Sequence, residues 1–98
     1  MSGPAEPARA PQPVDAPRIE QAILALLGER VPGKTICPSE VARALAGHDE
    51  AQWRALMPAV REAAERLAGA GQLQVTQRGK PVSATQARGP VRLGHPAQ

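Results

Sequence analysis

WRALMPAVREAAERLAGAGQLQVT, residues 53–76, decides the fold. Trp53, Met57, Val60, Ala64 and Leu67 recur every three or four residues, and Leu56 widens the same stripe, so this run carries one apolar helical face. Gly69 to Gly71 stop the helix, because glycine accepts the left-handed cap that other residues resist. Leu73 and Val75 then alternate with Gln74 and Thr76, the pattern of a half-buried strand. Arg78-Gly79 reads as a tight turn. Pro81 cannot donate to a ladder, which puts the segment after it at a sheet edge. Val91-Arg92-Leu93 alternates again and is expected to pair with residues 73–77, leaving the loop between as a wing. Pro58 removes one hydrogen bond inside the helix. The expectation is one helix bent at Pro58 rather than two short ones.

Outward from this stretch the chain reads as two shorter helices. Asp15 suits an N-cap and Pro17 a first turn, and Ile19, Ile23, Leu26 and Leu27 form a buried stripe. This predicts a helix over 17–30, ended by Pro32-Gly33. Thr35-Ile36 is long enough only to add an edge to a small sheet. In CPSEVARALAG (37–47), Pro38 takes the first helical position with Glu40 close behind; Val41, Ala42 and Leu45 face inward and Gly47 closes the helix. Asp49 caps the third helix, with Glu50 favourable in its first turn. Ser83 to Ala87 suits a single helical turn. The fold class expected is mainly α with a small β-hairpin: a winged helix, three-helix core plus wing. Residues 1–16 (MSGPAEPARAPQPVDA) read as a disordered, passive Pro/Ala-rich leader, 17–94 as the domain and 95–98 as a frayed tail.

Composition narrows the function classes. Ninety-eight residues support one domain with a modest core, and that core must be aliphatic, since Trp53 is the only aromatic. One cysteine excludes an internal disulfide and fits a reducing, cytoplasmic setting. No apolar run approaches the roughly 20 residues of a membrane span, and the N-terminus lacks an apolar signal core. The net charge of +3 is unevenly placed: Glu65 is the last acidic residue, and Arg66, Arg78, Lys80, Arg88 and Arg92 follow it. A positive C-terminal segment favours an anionic partner, nucleic acid first; the bland reading is solubility.

Four stretches, ICPSEVARAL (36–45), WRALMPAVREAAERL (53–67), VTQRGKPV (75–82) and RGPVRL (88–93), resemble in this order an uncharacterised bacterial family, a domain of unknown function with a winged-helix-like fold. The likeness spans Ile19 to Leu93. It implies the fold, and no substrate, cofactor or catalytic residue. DNA binding by winged-helix relatives is an analogy.

In DNA readers of that shape the third helix enters the major groove and the wing touches backbone. Arg54 and Arg61, seven apart, share a face of the third helix, while Arg78, Lys80, Arg88 and Arg92 belong to the wing and its base. Arginine contacts phosphate, or guanine in a bidentate pair. Against this, Glu62 with Arg66 and Glu65 with Arg61 are spaced for the ion pairs of an ordinary solvated face. Cys37 at a helix start is a candidate redox-sensitive thiol, more simply a small packed side chain. Trp53 is expected buried or half-buried. His48, His95 and Cys37 have no metal-ligand spacing, Ser39 and Ser83 lack a general base, and the glycines form no phosphate loop. No enzyme activity and no cofactor are therefore expected. Two functions stand: a DNA-binding module using the third helix and basic wing, or a protein-interaction module without nucleic-acid binding.

Overall fold

In a computed structural model, residues 14–31 and 33–96 are described. Most of the expected leader, residues 1–13, lies outside them, as do residues 97–98. Three helices come first: α1 (Ala16–Gly28), α2 (Pro38–Ala46) and α3 (Glu50–Gly69), with strand β1 (Thr35–Ile36) between α1 and α2. Strands β2 (Gln74–Gln77), β3 (Lys80–Pro81) and β4 (Arg92–Gly94) complete the chain. The fold is mainly α with a β-hairpin wing, as the sequence predicts.

Local chemistry sets the helix ends. The Asp15 carboxylate accepts from the Arg18 amide at 3.1 Å, and the Asp49 carboxylate from the Gln52 amide at 3.2 Å. At the start of α2, Glu40 reaches back to accept from the Cys37 amide at 3.0 Å while its other oxygen meets Arg30 at 2.7 Å, joining α2 to the end of α1. α1 stops at Gly28, before Pro32-Gly33 is reached. α3 ends in a Schellman motif: Gln72 N–H donates to Leu67 C=O, Gly71 N–H to Ala68 C=O, and Gly71 takes φ +78°. α3 is one helix through Pro58, whose missing N–H leaves the Arg54 carbonyl without its usual donor.

The sheet order is β1-β4-β2-β3, every neighbour antiparallel. Leu93 pairs with Ile36 on one side and Val75 on the other, and all three are buried. Thr35-Ile36 is an edge strand, and Pro81 lies on the opposite edge, where its missing donor faces no partner strand. The Leu93 row meets Ile19, Ile23 and Leu27 from α1, Val41 from α2, and Val60 and Leu67 from α3 in one aliphatic core. Ala63 and Ala64 let α3 approach closely. Trp53, Leu56 and Met57, in the first half of α3, are only half-buried, so that half of the helix keeps an apolar flank open. The His95 ring N–H donates to the Arg30 carbonyl at 3.1 Å, tying the segment after β4 to the turn that follows α1.

Candidate nucleic-acid interface

The site is built on the segment between β2 and β4. Its middle is one α-turn, with the Ala87 amide donating to the Ser83 carbonyl at 2.9 Å. Such a turn leaves unpaired N–H groups at its start and unpaired carbonyls at its end. Two residues of α3 meet them. Glu65 accepts from the Ala84 amide at 2.7 Å and from the Ser83 hydroxyl at 3.0 Å. Arg61 donates to the carbonyls of Ala84 (3.0 Å), Ala87 (3.1 Å) and Gly89 (2.6 Å). The acid sits at the positive end of the turn and the base at its negative end. Gln77 finishes the anchorage, donating to the carbonyls of Arg88 at 2.6 Å and Pro90 at 3.0 Å.

This corrects the expected solvated face of α3. Arg61 and Glu65 do not pair with each other; both turn to backbone groups that no helix or strand satisfies, whose burial unpaired would be costly. Nor does Glu62 pair with Arg66, whose guanidinium meets Glu20 of α1 at 2.7 Å. In each case the partner lies on another element, out of reach of a spacing argument.

The six basic candidates separate by what they hold. Arg61 is half-buried and engaged as above. Arg54 is exposed, with Nε donating to Glu50 at 2.5 Å and its guanidinium 5.2 Å from the centre of the Trp53 ring; Arg43 of α2 lies 5.1 Å from the same ring. Arg92 ties β4 to β1, donating to the Thr35 hydroxyl at 2.7 Å and carbonyl at 3.1 Å. Arg78, Lys80 and Arg88 are exposed and make no ion pair among the described residues.

Arg78, Arg88 and Arg92 converge on one cleft of about 650 Å³, with Gln77, Gly89 and Pro90 completing its wall. Lys80 stands opposite Gln77 across the hairpin. The turn that carries Arg78 is unusual. Arg78 has φ +54° and Gly79 φ +80°, the two positive values of a type I′ turn, where asparagine is the ordinary first residue. A bulky side chain at positive φ is uncommon and strained. Here the strain sets a guanidinium at the tip of the wing.

A second cleft, about 520 Å³, adjoins the first through Pro90. Trp53, Met57, Pro58 and Val91 supply its apolar wall, Arg54 and Arg61 its charge, and Cys37 and Ser39 its polar corner. The Ser39 hydroxyl donates to the Cys37 sulfur at 3.2 Å. Glu62 is not in this wall; it lines a smaller depression, about 370 Å³, with Met57, Pro58, Arg61 and Thr85. Along α3, then, positive charge is interrupted by Glu50 and Glu62, whereas at the wing it is continuous.

Sequence comparison bears on the whole of this unit. The profile of a family described as protein of unknown function matches residues 16–96, which takes in all three helices, the sheet and both clefts. The chain belongs to the DUF3253 family. Comparison with curated proteins found no match. Membership fixes the domain and carries no substrate with it. Two features of this DUF3253 domain escaped sequence reasoning: the Arg61–Glu65 clamp and the Trp53 cleft. The clamp had one legible trace, an Arg and a Glu one turn apart on the helix that precedes a loop free of acidic residues. Among the described residues there is no group of three His, Cys, Asp or Glu side chains placed to hold a metal ion, and no helix long and apolar enough to cross a membrane.

Proposed function

We propose that this domain binds duplex DNA, with the wing as the principal contact. The observation that carries the reading is the cleft where Arg78, Arg88 and Arg92 converge, beside Lys80 and with no carboxylate in its wall. Guanidinium groups gathered on one cleft suit phosphate oxygens, which sit at regular spacing along a duplex. α3 has a lesser part than helix-in-groove docking assigns it: Arg61 is held by the loop, and Arg54 shares its charge with Glu50. Binding is therefore expected to follow backbone charge, with weak sequence preference.

Fluorescence anisotropy on a labelled duplex tests this. At about 50 mM salt, micromolar protein should bind, with log K falling against log salt at a slope of about −3 for three or four phosphate contacts. Arg78→Glu, Lys80→Glu and Arg88→Glu together should abolish binding on every sequence while leaving the melting temperature within a few degrees. Absence of binding by the unmodified protein under those conditions overturns the reading. A second reading, a protein-interaction module, is favoured by one observation, the half-buried Trp53 beside an open apolar cleft. A concentration-dependent dimer, or a partner retained at high salt, would place it first.

A further inference from the structure

We infer that the cleft beside Trp53 is a binding site for a small monocarboxylate with an apolar body. The inference is independent of how the wing is used. The cleft, about 520 Å³, falls within the range of small-molecule sites, roughly 300–1,000 Å³. Its wall is chiefly apolar: the Trp53 indole, the Met57 thioether, the Pro58 ring and Val91. Such a surface favours a hydrocarbon or aromatic body.

Charge selects the rest of the ligand. No acidic residue lines the cleft, and two arginines do. Arg61 has its hydrogen bonds met by carbonyls, and no carboxylate among the described residues pairs with it, so its positive charge is not neutralised. Arg54 uses Nε on Glu50, and its two Nη groups have no hydrogen-bond partner among the described residues. Stacking on Trp53 holds that guanidinium at the rim, where a carboxylate would receive a charge-assisted pair while the body lies against Met57, Pro58 and Val91. A cation would meet two like charges, and a neutral apolar molecule would leave the Arg61 charge unanswered.

Trp53 is the only aromatic residue, so its fluorescence reports on this cleft alone. The full chain is titrated with octanoate and phenylacetate, and in parallel with octanamide and phenylacetamide. The carboxylates should change the emission saturably with a midpoint at or below about 1 mM, and the amides should bind at least about tenfold more weakly. Arg54→Gln, at an exposed position, should reduce that preference at least severalfold. Amide-detected NMR on the unmodified protein should place the largest shifts at Trp53, Met57 and Val91. No saturable response up to about 10 mM, equal binding of acid and amide, or shifts centred on Arg78 and Arg88 would each overturn the inference. So would an emission change that follows protein concentration without ligand, which would mean a second copy of the chain fills the cleft.

Discussion

Arg61 acts as a structural cross-link more than as a surface charge. Its guanidinium gathers three carbonyls of the 84–89 loop, and a guanidinium presents its N–H groups in a fixed fork suited to that task. Arg61→Ala should cost about 2–3 kcal/mol, because charged hydrogen bonds are lost and their carbonyls are left short of donors. Urea unfolding measures the loss, and hydrogen exchange should show it concentrated between residues 84 and 91. Arg78 is the opposite case. It has no ion pair among the described residues and holds φ +54°, which its side chain disfavours. Arg78→Asn should raise the melting temperature by about 2–4 °C, since asparagine tolerates that conformation and a gain of about 0.5 kcal/mol moves a domain of this size by that much. The same change should weaken the DNA binding proposed above. A lower melting temperature would refute the strain assigned to Arg78.

Among the elements, α3 is the one with divided duties. Its second half is core, with Val60 fully buried and Leu67 5 % exposed. Its first half is half-buried and forms the wall of the Trp53 cleft. Pro58 stands at the boundary, exposed, with the Arg54 carbonyl lacking its donor. Pro58→Ala should stabilise the protein by about 1 kcal/mol, because alanine restores the hydrogen bond and suits a helix interior. A rise in the urea midpoint with unchanged slope would confirm it. Destabilisation would show that the proline ring packs against the cleft more firmly than its exposure indicates. The periodicity of α3 was readable in advance from Val60, Ala64 and Leu67. That its first half stays open was not, because the stripe continues through Met57 and Trp53 and only the neighbouring elements determine how far it is covered.

At the scale of the molecule, one core serves both the helices and the sheet. Leu93 lies between Ile36 and Val75, so a strand at the chain's end closes against one that precedes α2. Leu93→Ala should cost about 2–5 kcal/mol and should loosen the wing together with the bundle, giving a single unfolding transition by every probe. Separate transitions for hairpin and helices would refute that coupling. The same closure shapes the candidate interface. β4 draws Arg92 to Thr35, while Arg61 of α3 holds Gly89 and Gln77 of β2 holds Pro90, where the two clefts meet.

From the sequence alone came the three helices, the carboxylate caps of α1 and α3, the glycine ends of α2 and α3, the stripe residues that reach the core and the pairing of β2 with β4. These rest on local causes: a period of 3.6 or 2, a carboxylate before a first turn, a glycine after a last one. Tertiary structure alone decided which arginines the fold engages and which it leaves exposed. Arg61 and Arg78 are the same letter in the sequence, yet Arg61 is engaged by carbonyls 23 to 28 residues away and Arg78 is set out on a strained turn. A guanidinium goes to whichever acceptors the fold leaves unmet within its reach. That reach is a distance in space, which the order of residues along the chain does not contain.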